Sequence, residues 1–378
     1  MIIKHIFKLD NYYKTTKRYY YFFDGMFKLK NESKMDVLKS LNLPSSTYRL
    51  NRNSDVIKNK NHLPLLKYFG ISSKLYKQED MEVLLSKAFS VLYYKQEEEY
   101  ETLQSSIEKC INKNTYMNPI FILFKVLFLI ITNREIRNIL DIIKEDVQYL
   151  TDFPEEYFDD EFKVIYAVIL HFSGIHQYGS KSRMLNSKYP YLSWLYFHLC
   201  GSTYFYKKEY SNAIIFYDNA LSLYKEDLNI KRQLECQMNI GAMYNYLGEY
   251  SIAIKNLEPL VEHSIFQTDN FPLKCYSIMH YVIALMETRQ YNPILRIIRS
   301  IDIKYVNDIT SMVGIISSFK EKVKKEEVLE TLKTKTEQSK DIKIVYDYLY
   351  DSVPLPKAFI EDNSYYYMRL IKNKLEIC

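Results

Sequence analysis

Apolar and polar positions alternate at helical spacing along most of this chain. Near the start, residues 17–29 predict an aromatic-rich helix, introduced by Thr15-Thr16. Ser33 is placed to cap a helix over 34–41, with Met35, Val37, Leu38 and Leu41 on one face. Asn42-Leu43-Pro44 stops it, because proline disfavours helical geometry in its predecessor. Ser45-Ser46 is placed to cap the next helix, which begins at Thr47, and residues 63–71 add a last apolar stripe ending near Gly70. Downstream the pattern reads as paired helices: 81–94 with 97–112, a helix opening at Asn118-Pro119 with 134–150, and a pair from Phe153 through 165–176. Residues 179–188 read as a loop, and 318–378 as two or three further helices that cap the array or form a dimer contact.

Over this pattern runs a repeat. Gly201, Tyr204, Tyr210 and Ala213-Ile214 return forty residues later as Gly241, Tyr244, Tyr250 and Ala253-Ile254. A weaker third copy follows, with Tyr291 placed 41 residues after Tyr250 and Val282 and Ile294 at the glycine and alanine positions. A recurring helical hairpin buries its apolar face only by stacking on its neighbours, which predicts a solenoid with a peptide-binding groove. The period exceeds the roughly 34 residues of the commonest tetratricopeptide unit. The extra length falls near residues 225–233 and 265–273. In this arrangement Tyr210 and Tyr250 pack between helices.

Composition narrows the chemistry. With 8 glycines against 37 tyrosines, no phosphate-cradling glycine loop can be found. The five cysteines (Cys110, Cys200, Cys236, Cys275 and Cys378) are scattered and odd in number, which points to a reducing cytoplasm and to neither a zinc site nor a disulfide framework. His171 and His176 lie five apart and diverge on a helix, and no metal-binding or nucleophile-elbow motif appears. The acidic runs at Glu97-Glu98-Glu99 and at Glu155-Glu156 read as solvated helix faces or N-terminal charge. No catalytic residue, cofactor or metal is expected, and an enzyme is not indicated. Residues 120–131 are the most apolar run and too short for a span of about 20 residues, so no membrane segment or signal peptide is expected.

Charge is uneven. Residues 1–70 hold 14 lysines and arginines against 5 acidic residues, while the remainder holds 37 against 41. A basic head on a mildly acidic body implies a polyanion partner, most simply double-stranded DNA. A helix, a short turn and a second helix of Ser, Thr, Tyr, Arg and Asn fit a DNA-reading helix-turn-helix. Arg49, Asn51 and Arg52 would contact base edges, Ser45, Ser46 and Thr47 phosphates at the helix start, and Tyr48 completes the set.

Residues 34–49 resemble the helix-turn-helix core of bacterial repressor-like regulators, and residues 65–71 the last helix of that fold. The turn lacks an obvious glycine or alanine, and the first helix, over 17–29, carries aromatic residues where basic and polar ones are commoner. With the stretched repeats of 191–260, the layout resembles the Rap, Rgg, NprR, PlcR and PrgX group of peptide-pheromone receptors and the arbitrium receptors of phages. The resemblance implies an all-α chain: a helix-turn-helix domain over 1–72, then a right-handed tetratricopeptide-like solenoid over 73–378 for peptide binding and dimerisation. It implies a cytoplasmic quorum-sensing homodimer that binds operator DNA and is switched by a short linear signalling peptide. Residues 238–244 resemble the group's Asn-x-Gly-x-x-Tyr segment, whose asparagine contacts the peptide backbone, so Asn239 is implied as a clamp. Tyr204, Tyr244, Asn245 and Tyr196 would face the same groove. Leu199 stands at the equivalent of Asn239 in the preceding repeat, leaving any ladder of amides incomplete. A Rap-like receptor that controls a protein partner without touching DNA is the alternative. A phage lysis–lysogeny switch would share the first mechanism.

Overall fold

The computed structural model describes residues 7–15, 17–53, 62–132, 136–174, 190–262 and 271–300, with a few positions between 333 and 356. The loop at 179–188 and nearly all of 318–378 lie outside the described residues. Among the described residues the fold is all-α, with sixteen α-helices, no strand, and a single isolated bridge between Ser72 and Thr115. These residues divide into two compact units, one built from residues up to 203 with 223–232, the other from 204–222 and from 233 onward.

The first unit begins with α1 (Asp10–Lys14), α2 (Lys17–Leu29), α3 (Lys34–Ser40), α4 (Ser45–Arg52) and α5 (His62–Tyr68). It continues through α6 (Gln78–Tyr94), α7 (Tyr100–Ile111), α8 (Asn118–Thr132), α9 (Ile136–Thr151) and α10 (Asp160–Phe172), and takes in most of α11 (Ser193–Tyr206). Ser33 caps α3 as expected, accepting from the Asp36 amide at 3.4 Å. Two local expectations fail. Pro44, not Ser45 or Ser46, sits at the N-cap of α4, and it supplies no side-chain cap. Met35 is 62% exposed, so the inward stripe of α3 narrows to Val37 and Leu38. The missing glycine of the turn is replaced by Asn42 at φ 52°, while the Leu43 amide reaches back to the Leu38 carbonyl at 2.9 Å. Asparagine tolerates this left-handed position better than most side chains.

The described residues up to Ser72 belong to this unit. Phe7 is fully buried among Phe89, Phe124 and Phe162, with ring centroids 5.2–5.5 Å away. Three fully buried tyrosines close a ring: Tyr12 donates to the Tyr157 carbonyl (3.0 Å), Tyr157 to the Tyr116 carbonyl (2.7 Å), and Tyr116 to the Tyr12 carbonyl. Each phenol satisfies a carbonyl that would otherwise be orphaned in an apolar core. Burial drives all three hydroxyls well above their ordinary pKa, so they stay neutral donors.

The repeats form hairpins: α11 with α12 (Tyr210–Glu226), α13 (Ile230–Tyr246) with α14 (Tyr250–Glu262), and α15 (Phe271–Glu287) with α16 (Tyr291–Ser300). Tyr210, Tyr250 and Tyr291 each open the second helix of a pair, so even the weak third copy keeps its register. The turn before each carries one left-handed residue, at Lys208, Gly248 and Arg289. Glu209, Glu249 and Gln290 then close back on the carbonyls of Tyr204, Tyr244 and Leu285 at 2.8–2.9 Å. This is the six-to-one closure of a Schellman cap. In the second pair Gly241 has a structural duty, since a β-carbon there would stand 2.5 Å from Leu257 Cγ.

Candidate nucleic-acid and peptide interfaces

The seven residues expected to meet DNA are split by the geometry of one eight-residue helix. Tyr48, Asn51 and Arg52 are spaced i, i+3, i+4 and therefore share a face. That face lies on α2. Tyr48 is only 3% exposed, and its hydroxyl donates either to the Tyr20 carbonyl (3.0 Å) or to Asp24 Oδ1 (2.9 Å). Its ring meets that of Tyr20 edge-on at 4.7 Å, so Tyr48 is a core residue and the expectation that it contacts DNA is corrected. Desolvation, then the neighbouring Asp24 carboxylate, pushes its hydroxyl far above the usual range. The Asn51 amide donates to the Tyr20 hydroxyl at 3.0 Å. Arg52 lies over the Tyr21 ring at 5.2 Å, with Nε 2.9 Å from Asp24 Oδ2.

The opposite face is open. Ser45, Ser46 and Arg49 are exposed and Thr47 is half-buried. Leu50, at 72% exposure, lies among them. Many basic residues of the head are used internally: Arg18 on Asp159, Lys28 on Asp152, Lys34 and Arg52 on Asp24, and Lys8 on Glu82. Lys30, Lys39, Arg49 and Lys67 are exposed and have no acidic partner among the described residues. They follow or sit on α2, α3, α4 and α5 respectively, one cation for each helix of this layer.

The expected peptide residues separate too. Tyr196 belongs to the first unit and is 5% exposed, packed edge-on against Phe197 at 5.5 Å. It is a core residue, and its expected place in a groove is corrected. In the second unit, Tyr204 stacks on Phe216 of its own hairpin (5.2 Å, 15° between planes), and Tyr244 packs half-buried against the core around Leu257 and Val282. Asn239 is half-buried on α13 and makes no hydrogen bond to any described residue. Asn245 donates to the His280 carbonyl at 2.7 Å, while its Oδ1 is buried with no donor. Six positions apart on α13, the two amides stand about 120° from each other around the helix axis.

One group was missed. Tyr246 stacks on Tyr210 (5.0 Å, 14°) and lies 5.8 Å from Phe205 and 6.1 Å from the His280 ring, forming an aromatic layer beside Asn245. Its signal was the forty-residue offset itself, since Tyr206 precedes Tyr246 by that interval. Burial pulls the His280 imidazole down to about 4, so the ring is neutral near pH 7. Among the described residues no cluster of metal-ligating side chains forms, and no helix is long and apolar enough to cross a membrane.

No family model and no curated protein matches this chain. Two solved structures do. One is the apo form of the quorum sensor NprR from B. thuringiensis, at 15% identity and a TM-score of 0.49 over 79% of this chain and 90% of that one. The other is NprR in complex with its cognate peptide NprX, at 13% identity and 0.47 over 80% and 98%. NprR is one of the receptors that residues 34–71 and 191–260 resemble.

Proposed function

We propose that this chain is a cytoplasmic, peptide-responsive transcription regulator. Residues 1–72 bind operator DNA and residues 73–378 hold a short linear peptide and pair two copies of the chain. The observation that carries the reading is the set of unpaired cations Lys30, Lys39, Arg49 and Lys67, distributed over the α2–α5 layer while neighbouring basic residues are neutralised. Arg49 with Ser45 and Ser46 forms the contacting face of α4, a smaller set than its composition suggests. On the peptide side, Asn239 and Asn245 supply the backbone contacts. The peptide acts through a difference in affinity between two arrangements of the chain, and about 1.4 kcal/mol of coupling gives tenfold regulation.

The test is binding of the full chain to its own upstream duplex across a salt series. Affinity should fall steeply with salt, and Arg49→Ala should weaken binding roughly 5- to 150-fold with helical content unchanged. Specific binding that survives Arg49→Ala at full strength removes α4 as the reading element. A second reading is a peptide-controlled receptor for a protein partner. It is favoured by exposed Met35 and Leu50 on α3 and α4, together with the inward set of Tyr48, Asn51 and Arg52. Absence of any duplex binding at low salt would leave that reading standing.

A further inference from the structure

We infer that Asp24 is an internal competitor for DNA phosphate: its carboxylate holds Arg52 back from the nucleic-acid face, and Arg52 reaches a phosphate only when that charge is removed. The inference rests on the reading that residues 34–52 meet DNA.

Asp24 stands on α2 and gathers three groups from the two helices that follow. Lys34 Nζ lies 2.8 Å from Oδ1, the Tyr48 hydroxyl 2.9 Å from the same oxygen, and Arg52 Nε 2.9 Å from Oδ2. The three contacts differ in kind. The lysine and tyrosine contacts are aligned hydrogen bonds, and the tyrosine is buried. Arg52 Nε is close to the carboxylate but makes no hydrogen bond there. This is charge attraction without the two parallel bonds that a guanidinium forms with a well-placed oxyanion. The Arg52 side chain is also 40% exposed, so solvent and a polyanion both reach it.

A phosphate has oxygens free to face the guanidinium squarely, which the tethered carboxylate does not achieve here. Arg52 therefore adds little to binding while Asp24 is charged and becomes a phosphate contact once that charge is removed. Asp24 is a positioning residue: it sets how many cations the face presents without touching DNA itself.

The experiment is a double-mutant cycle on the full chain, using duplex carrying its upstream sequence and titrated at several salt concentrations, with circular dichroism on every variant. Asp24→Asn, which keeps an oxygen for Tyr48, should tighten binding roughly three- to tenfold near 0.1 M salt and steepen the log–log salt slope by about 0.9. Arg52→Ala alone should leave affinity and slope near those of the unmodified chain, and in the Asp24→Asn background it should remove the whole gain. A gain that persists without Arg52 is a general charge effect and overturns the inference, as does a slope that falls by about 0.9 when Arg52 alone is removed. The Arg52→Ala measurement stands even where Asp24→Asn fails to fold. If neither the unmodified chain nor Asp24→Asn binds duplex at low salt, the DNA-binding reading fails with it. If the unmodified chain binds and the cycle is flat, only the competitor role is lost.

Discussion

Lys208 and Arg289 hold a backbone conformation that glycine adopts without strain, and Gly248 shows it in the equivalent turn between them. A left-handed φ costs an L-residue about 1–2 kcal/mol, and this chain, with only 8 glycines, accepts that cost at seven described non-glycine positions, Lys208 and Arg289 among them. The caps they serve are intact, with closures of 2.8–2.9 Å onto the first helix of each pair. Lys208→Gly and Arg289→Gly should therefore each raise stability, by about 0.5–1 kcal/mol once the greater freedom of glycine in the unfolded chain is subtracted. Gly248→Ala should lower it by a similar amount. Urea midpoints at constant m-value measure all three, and a loss on installing glycine at 208 would show that the lysine side chain does more than cap.

At the scale of elements, the end of α6 illustrates how the first unit is fastened. The carbonyls of Leu92 and Tyr93 are left without intrahelical partners, and the turn at 227–232 supplies them. Arg232, 1% exposed, donates to Leu92 and, at 3.4 Å, to Tyr93, while Asn229 donates to Tyr93 at 2.7 Å. Tyr93 answers through its hydroxyl to Asp227 at 2.5 Å. Replacing Arg232 by methionine keeps the stem but orphans a buried carbonyl, at a cost of about 1–3 kcal/mol. Amide exchange should quicken in residues 89–95 and 227–232 before it does in α2 or α8; uniform change across the unit would mean that this cap is not a local fastening. Much of this level was legible beforehand. The helix at 17–29, the helix opening at Lys34, the start at Asn118 and the repeat register all follow from spacing and capping. The Arg232 cap was not legible, because nothing local in the sequence reveals a donor 140 positions from its acceptor. The α4 face was legible in spacing but misread in chemistry. Tyr48, Asn51 and Arg52 look like readers of bases because they are polar. Their i, i+3, i+4 placement marks one face of a short helix, and that face had to be the buried one.

At the scale of the whole chain, the boundary between the two compact units cuts through helices instead of falling between them. Helices α11, α12 and α13 each have residues on both sides of it, with the change inside α13 falling between Arg232 and Gln233. Cooperative opening follows packing more closely than helix ends, because stability resides in buried contacts and not in helix propensity. Gly241→Ala tests this from within the second unit. Its β-carbon would crowd Leu257, and overpacking of this kind costs about 1–3 kcal/mol. Exchange should accelerate along residues 233–246, 250–262 and 273–286, which share the core around Leu257. The amides of 227–232, tied to the end of α6, should keep their protection, so the protected and exposed stretches would meet inside one unbroken helix. Acceleration that stops at the ends of α13 would mean that the helix, and not the packed core, is the unit that opens.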